Sequence, residues 1–236
     1  MFVKICGVTN EEDALLAVAM GADAVGFVFA PSTRQIAPQK AADIAKRLPS
    51  EIVTVGVFRD ETRQRVVDIV HQSGLRAAQL HGHEPPATSR WVRARVPLLF
   101  KAFAAGDTLL EQADDYGADA ILVDSLRPGS GEVFDWSLAE GAPTDRKVIL
   151  AGGLTPENVG DAVRHIRPWG VDVSSGVEAL PGRKDARKLR SFIYAARIAE
   201  PPAPAEQTPA SAAGPDRTGD RRPGDRPFDW MADDPS

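Results

Sequence analysis

Residues 148–177 read VILAGGLTPENVGDAVRHIRPWGVDVSSGV and hold one complete structural unit of the chain. An apolar run at 148–150 predicts a strand, and the apolar spacing over 156–166 predicts a helix. A second apolar run at 171–173 predicts another strand. A strand, a helix and a second strand in this order predict two parallel strands joined by a right-handed crossover.

The same alternation extends over residues 1–200. Eight short apolar runs predict strands at 2–5, 24–29, 52–58, 77–80, 98–102, 120–123, 148–150 and 171–173. Helical patterns occur at 11–20, 38–48, 61–73, 109–116, 156–166 and 185–199, with weaker ones at 88–95 and 136–140. Eight repeats favour an α/β fold, a single-domain (β/α)8 TIM barrel, over an open sheet. No GxGxxG follows the first strand, which argues against a dinucleotide-binding fold.

Local residues support the helix boundaries. Thr9 followed by Glu12 fits a capping box at the start of the first helix. Gly21 and Gly74 stand just after predicted helices and before the next strands. Glycine is favoured there because the chain turns through a left-handed conformation.

The composition changes at Pro201. Eight of the 19 prolines lie in residues 201–236, a stretch without Val, Ile or Leu. Such a segment buries too little apolar area to offset the entropy of ordering it, so we expect a disordered, Pro-rich tail after a barrel of residues 1–200. The short apolar patch at 227–231 is either a chance feature of a terminus or a docking motif for an unknown partner.

The overall composition argues against several classes of protein. A net charge of −5 without a basic stripe argues against a nucleic-acid partner. The apolar runs are of strand length, too short to span a membrane. One cysteine excludes an internal disulfide and a multi-cysteine zinc site. The N-terminus shows no apolar signal segment, so we expect a cytoplasmic protein.

Barrels of this kind place their chemistry where the strands end. The first predicted strand ends at Cys6, and strand alternation puts Lys4 and Cys6 on one face. We expect that face to be the barrel interior, because a lysine beneath the helices would be unfavourable. A helix begins soon after Cys6 and would favour its thiolate. The alternative for a lone cysteine is a small buried apolar residue.

The sixth predicted strand ends at Asp124. A carboxylate that ends an apolar strand is costly unless it is paired or used in catalysis. Asp124 is therefore a functional acid, a helix N-cap, or the ion-pair partner of Lys4 or Lys101. His81 and His83 follow the fourth strand without an obvious carboxylate or cysteine neighbour, and we interpret them as loop histidines rather than metal ligands.

Small residues follow the last two strands: Gly152 and Gly153 after the seventh, and Ser174, Ser175 and Gly176 after the eighth. They let backbone N–H groups approach an anion, and the loops after strands seven and eight are the usual phosphate site of such barrels. Arg34, after the second strand, has the planar fork that clamps a carboxylate or a second phosphate. Its alternative is a solvated loop residue.

These motifs resemble the phosphoribosylanthranilate isomerase family of tryptophan biosynthesis over nearly all of residues 2–199. The resemblance is carried by KICGVT, GADAVGFVF, VGVF, QLHG, FDW, LAGGL and VDVSSGVE, which begin at residues 4, 21, 55, 79, 134, 150 and 171. KICG and VDVSSGVE are specific to the family. One departure is the loop at 128–132, PGSGE, where the family commonly has Gly-Gly-Thr-Gly or Gly-Gly-Ser-Gly.

The resemblance implies an Amadori rearrangement of a small phosphorylated substrate, N-(5′-phosphoribosyl)anthranilate, to 1-(2-carboxyphenylamino)-1-deoxyribulose 5-phosphate. It implies Asp124 as general acid, Cys6 as general base and Arg34 as the partner of the anthranilate carboxylate. The remaining substrate-binding residues would be Asp172 and, for the phosphate, Gly152, Gly153, Ser174, Ser175 and Gly176. No metal or organic cofactor is implied, because the iminium nitrogen takes up the electrons.

Two alternatives from the residues themselves remain open. In the first, Lys4 or Lys101 forms a Schiff base, as in a class I aldolase-like barrel. In the second, the barrel binds a phosphorylated ligand without catalysis, and Cys6 and Asp124 are only structural.

Overall fold

The computed structural model describes residues 1–124 and 146–200. Its strands are β1 (Phe2–Ile5), β2 (Ala24–Val28), β3 (Val53–Phe58), β4 (Ala77–Leu80), β5 (Leu98–Ala104), β6 (Ala120–Asp124), β7 (Val148–Leu150), β8 (Gly170–Val173), β9 (Glu178–Leu180) and β10 (Arg183–Lys184). Its α-helices are α1 (Glu11–Ala19), α2 (Pro38–Ala45), α3 (Arg63–Gln72), α4 (Pro86–Arg93), α5 (Val159–Ile166) and α6 (Ala186–Ile198). Short 3₁₀ helices span Thr108–Tyr116 and Ser175–Val177.

Strands β1 to β8 follow one another around a closed barrel. Each pairs in parallel with its neighbours, and β1 closes the ring against β8 with Lys4 opposite Asp172. This confirms the predicted (β/α)8 fold. The carboxyl ends of these strands form one rim, called the mouth below. Strands β9 and β10 form a separate antiparallel hairpin after β8.

Two apolar cores hold the barrel. The inner core lies inside the sheet and consists of Ala24, Val55, Ala77, Phe100, Ala102, Ala120, Leu122, Ile149 and Ala151. The outer core lies between sheet and helices and includes buried Val3, Ile5, Phe27, Leu80 and Phe192. Alternate strand residues therefore face opposite cores, as a parallel sheet covered by helices requires.

Every predicted strand is present to within two residues at each end. The helix predicted at 109–116 is a 3₁₀ segment, Thr108–Tyr116, that bends at Gln112, where φ is −107°. Helix α5 begins at Val159 rather than 156. The preceding turn is closed instead by Asn158, whose Oδ1 accepts from the backbone N–H of Thr155.

The structure confirms that α1 begins at Glu11, but the predicted N-cap, Thr9, is one residue too early. The N-cap is Asn10, whose side chain accepts from the backbone N–H of Asp13 and donates to the Asp13 carboxylate. Thr9 is not the cap, because its hydroxyl donates to the carbonyl of Gly182 across the molecule. The glycine predictions are confirmed: Gly21 and Gly74 follow α1 and α3 with φ of 99° and 62°.

Several predictions concern residues outside the described ranges. These are the loop at 128–132, the weak helix at 136–140, and the tail at 201–236 with its apolar patch. Within the described part, no helix combines the length and apolar character needed to cross a membrane.

Candidate active site

Cys6 lies at the end of β1 and is 7% exposed. Gly26 on β2 makes room for it: a Cβ at that position would lie 2.9 Å from Cys6 Sγ. Burial raises the pKa of the Cys6 thiol and Asp172 adds to the rise, which the charges of Lys4 and Lys184 only partly oppose. The expectation of a favoured thiolate is therefore wrong for the free protein, because desolvation exceeds the effect of the cations.

Lys4 points into the barrel, as predicted, and is fully buried. Its Nζ donates to Asp172 Oδ1 at 2.9 Å. Burial alone would lower the pKa of Lys4, but Asp172 and Cys6 outweigh it and the pKa is raised. Asp172, predicted among the substrate-binding residues, is thus the partner of Lys4 beneath Cys6, and any contact with substrate stays a prediction.

Asp124 ends β6 at the same mouth, with its side chain 15% exposed. Oδ2 lies 3.1 Å from His81 Nε2. Oδ1 is buried and has no hydrogen-bond partner among the described residues. The suggested ion pair with Lys4 or Lys101 is wrong, because Lys4 binds Asp172 and Lys101 binds Glu84. Among the described residues, Oδ1 of Asp124 therefore keeps its hydrogen-bonding capacity unused.

His81 has a carboxylate neighbour that the sequence reading missed. Gln79, fully buried on β4, places its Nε2 2.8 Å from His81 Nδ1. Because an amide N–H donates, Nδ1 accepts, and the remaining proton lies on Nε2, which donates to Asp124. Residues i and i+2 at a strand end share a face, so the signal was the spacing of Gln79 and His81. His83 also lies near a carboxylate, with its Nδ1 3.7 Å from Asp60 Oδ2.

The loops after β7 and β8 meet at the mouth. Gly152 and Gly153 have φ of 84° and 63°, values that glycine adopts without strain. Gly176 packs so closely that an added Cβ would lie 1.9 Å from the carbonyl oxygen of Leu154. Ser174 and Ser175 precede Gly176 in the chain, so the structure places their loop against the loop that follows Gly152 and Gly153; that these five residues hold the phosphate stays a prediction.

Arg34 is not a solvated loop residue. Its Nε and Nη2 donate to the two carboxylate oxygens of Glu178, each at 2.8 Å. A Cβ on Gly7 would lie 2.5 Å from Arg34 Cδ and 2.8 Å from Ser174 Oγ, so the arginine stem crosses the chain just after Cys6. The hydrogen bond to Glu178 raises the pKa of Arg34. Sequence reasoning missed Glu178 because its partner lies 144 residues away.

Lys101 faces the outer core rather than the barrel interior. Its neighbours Phe100 and Ala102 belong to the inner core, and alternation turns Lys101 away. Its Nζ donates to Glu84 Oε2 and to the carbonyls of Gly82 and Leu80. Three acceptors thus surround the Nζ of Lys101 and hold its side chain in place. Lys4 is held likewise by Asp172, so neither lysine is placed as a free amine for a Schiff base.

In residues 1–124 and 146–200, no group of three His, Cys, Asp or Glu side chains is arranged to hold a metal ion. The mouth instead combines a buried thiol, a carboxyl with one free oxygen, an arginine and two touching small-residue loops.

Comparison with known proteins identifies the family. A family model described as N-(5′-phosphoribosyl)anthranilate (PRA) isomerase matches residues 3–195. The chain belongs to this family. N-(5′-phosphoribosyl)anthranilate isomerase from Desulforudis audaxviator is 50% identical over 204 residues, which cover 84% of this chain and 98% of the relative.

Solved structures of the family agree. Phosphoribosyl anthranilate isomerase from Thermus thermophilus has a TM-score of 0.78 at 46% identity, covering 84% of this chain and 99% of that chain. A phosphoribosyl anthranilate isomerase in complex with reduced 1-(o-carboxyphenylamino)-1-deoxyribulose 5-phosphate has a TM-score of 0.74 at 43% identity, with the same coverage. The recognition from sequence motifs is thereby confirmed.

Proposed function

We propose that this chain isomerises N-(5′-phosphoribosyl)anthranilate to 1-(2-carboxyphenylamino)-1-deoxyribulose 5-phosphate, with Asp124 as general acid and Cys6 as general base. One observation carries the proposal. In the barrel order, β7 and β8 lie between β6, which ends at Asp124, and β1, which leads to Cys6. The small-residue loops that follow β7 and β8 therefore lie between acid and base. A phosphate bound there directs the attached ribose toward both groups.

The first step opens the ribose ring. Asp124, protonated on the oxygen that His81 does not contact, gives its proton to the ring oxygen as the bond from that oxygen to carbon 1 breaks. The lone pair of the anthranilate nitrogen forms a double bond to carbon 1, which leaves a cationic iminium. His81, donating to the other oxygen, holds the carboxyl in one orientation.

The second step removes the proton from carbon 2. The Cys6 thiolate takes it, the C–H electrons form a double bond between carbons 1 and 2, and the iminium electrons return to nitrogen. The buried thiol first loses its proton to solvent; Lys4 favours that loss, and the iminium cation adds to it. The enol then loses its hydroxyl proton as carbon 1 gains one, which yields the ketone. No external oxidant or cofactor is required, because carbon 1 is reduced as carbon 2 is oxidised.

Binding is shared among the other residues of the mouth. We assign the substrate phosphate to the loops at Gly152–Gly153 and Ser174–Gly176, and the anthranilate carboxylate to Arg34. A reducing compartment keeps a single thiol such as that of Cys6 unoxidised, and we propose the cytoplasm.

The test is turnover of freshly generated N-(5′-phosphoribosyl)anthranilate, followed by loss of its fluorescence, in the parent, Cys6→Ser and Asp124→Asn. Each variant should lose roughly 10²–10⁴-fold in kcat, because each removes one proton transfer. Asp161→Asn on α5, an exposed carboxylate, is the matched control and should behave as the parent. A folded parent without turnover would contradict the activity. An active parent whose Cys6 and Asp124 variants keep full kcat would contradict the roles.

A further inference from the structure

The guanidinium of Arg34 is bound on one edge only by the residues that the structure describes. Nε and Nη2 each give one hydrogen to Glu178, at 2.8 Å. Guanidinium has five N–H donors in a rigid plane, so Nη1 and the second hydrogen of Nη2 form another edge. That edge has the spacing to bind a second carboxylate through two parallel hydrogen bonds. The direction in which it points is set by Glu178.

Glu178 is itself held in place from below. Lys184 Nζ donates to Glu178 Oε1 at 3.1 Å, and the lysine side chain is fully buried. The same Nζ donates to the carbonyl of Cys6 at 2.7 Å and to that of Ser174 at 3.1 Å. The carboxylate that orients Arg34 is therefore fixed to the backbone of the proposed base and of the proposed phosphate loop.

The β9–β10 hairpin delivers both members of this pair. Lys184 lies opposite Glu178 in its register. The hairpin is anchored where the backbone N–H of Lys184 donates to Asp13 at 2.9 Å, and where Lys188 donates to the carbonyl of Glu178 at 2.8 Å. A hairpin tied at these points holds Glu178 against the mouth without depending on an exposed loop.

Charge supports the arrangement. Burial would raise the pKa of Glu178, but the hydrogen bond from Arg34 and the charge of Lys184 outweigh it, so the pKa is lowered. Glu178 thus stays ionised at neutral pH and below. Burial lowers the pKa of Lys184, and the charge of Glu178 only partly opposes that fall. With Lys184 protonated, the two cations exceed the single negative charge of Glu178 by one.

We propose that Glu178 is a positioning residue that aims the free edge of Arg34 at the aromatic carboxylate of the substrate. The inference rests on the proposed function, in which Arg34 binds that carboxylate. Glu178 itself does not touch the substrate. Its effect should therefore depend on two things: the presence of Arg34 and the presence of a carboxylate on the ligand.

The experiment measures binding of two probes by calorimetry. One is reduced 1-(o-carboxyphenylamino)-1-deoxyribulose 5-phosphate, and the other is the same molecule without its carboxyl group. The parent should bind the carboxylated probe at least tenfold more tightly. Glu178→Gln should lose about tenfold in affinity for the carboxylated probe and less than twofold for the other, because a neutral amide neither pairs with nor aims the guanidinium as strongly.

The Arg34→Ala background tests whether the effect of Glu178 depends on Arg34. In that background Glu178→Gln should change neither affinity by more than twofold, since the two residues act as one unit. In turnover, Glu178→Gln should raise KM with kcat little changed, the pattern of a lost binding interaction. The matched control is Glu12→Gln. Glu12, on α1, forms an exposed ion pair with Arg183 of the same hairpin, and the substitution breaks it.

Three results would overturn the inference: equal losses for both probes, a further loss in the Arg34→Ala background, or an unchanged preference for the carboxylated probe. Glu178→Asp keeps the charge beside Lys184 while withdrawing it from Arg34, and gives the same readout where Glu178→Gln does not fold. Turnover by the parent separates the proposed activity from the positioning role of Glu178. If the parent is active and Glu178→Gln binds and turns over like the parent, only the positioning role is contradicted.

Discussion

Around the end of β1 the charged side chains pair with one another, whereas on β4 and at the end of β6 two polar atoms lack a partner in the described part of the chain. On the β1 side, Lys4 binds Asp172, while Arg34 and Lys184 share Glu178. On the β6 side, Gln79 Oε1 and Asp124 Oδ1 are buried and accept no hydrogen bond from any described residue.

The difference indicates that the two sides of the mouth have different tasks. A paired network is rigid, and it holds the proposed base and carboxylate clamp before substrate arrives. A buried acceptor without a partner costs roughly 1–3 kcal/mol, which a ligand group can offset on binding. If the proposed roles hold, the β1 side fixes the position of the base, and the β6 side keeps hydrogen-bonding capacity for the substrate.

The largest effect is expected where the paired side is broken. Lys4→Met leaves Asp172 buried without its cation and should cost about 3–5 kcal/mol in the free energy of unfolding, measured in urea. The double variant Lys4→Met/Asp172→Leu removes both charges and should recover most of that loss. A Lys4→Met protein as stable as the parent would show that the pair does not hold the β1 side together.

A smaller effect is expected where the two small-residue loops touch. Gly176→Ala places a Cβ against the carbonyl of Leu154 and must push the loops apart. Overpacking of this kind costs roughly 1–3 kcal/mol, so KM for the phosphorylated substrate should rise by about 5- to 150-fold. Gly74→Ala, at the end of α3 and away from the mouth, is the control: its Cβ meets nothing within 4 Å, and only its φ of 62° is strained. A KM for Gly176→Ala equal to that of Gly74→Ala would contradict a phosphate site formed by the two loops.

On the acid side, Gln79→Met should lower kcat by about five- to tenfold, which corresponds to one lost hydrogen bond of roughly 1 kcal/mol. His81 then loses the amide that keeps its proton on Nε2, and Asp124 is held less firmly. KM should change little. Gln39→Met, which removes an exposed helical amide bonded to Asp43, is the matched control. An unaltered kcat in Gln79→Met would mean that the contact is only structural.

The subtlest test concerns the state of Cys6. Because its pKa is raised, the thiol is protonated at neutral pH, and its alkylation by iodoacetamide should keep accelerating with pH beyond the range of an ordinary thiol. Burial also slows the access of iodoacetamide to Cys6. The readout is therefore the pH at which the alkylation rate reaches half its maximum, rather than the rate itself. The comparator is Leu180→Cys in a Cys6→Ala background, an exposed thiol on the hairpin. A Cys6 midpoint at or below that of the comparator would contradict the raised pKa.

Local signals predicted the fold because its strands are short, apolar and bounded by turn residues. The apolar run at 148–150 and the glycines after it were enough to locate β7, and Gly21 and Gly74 marked helix ends correctly. The cap of α1 was misplaced because the hydroxyl of Thr9 is taken by Gly182, a residue 173 positions away. The few residues around Thr9 contain no information on an acceptor so far away in the chain.

The sequence alone placed Cys6, Asp124 and the small residues after β7 and β8 at the mouth, since a closed barrel brings all strand ends to one rim. Only the tertiary structure decided their partners: His81 with Asp124, Asp172 with Lys4, and Glu178 with Arg34. Ion pairs and hydrogen bonds act over a few ångströms of space, whereas these residues are 43, 168 and 144 positions apart along the chain. The sequence therefore determined which groups reach the mouth, and the folded barrel determined which of them pair with one another in residues 1–124 and 146–200.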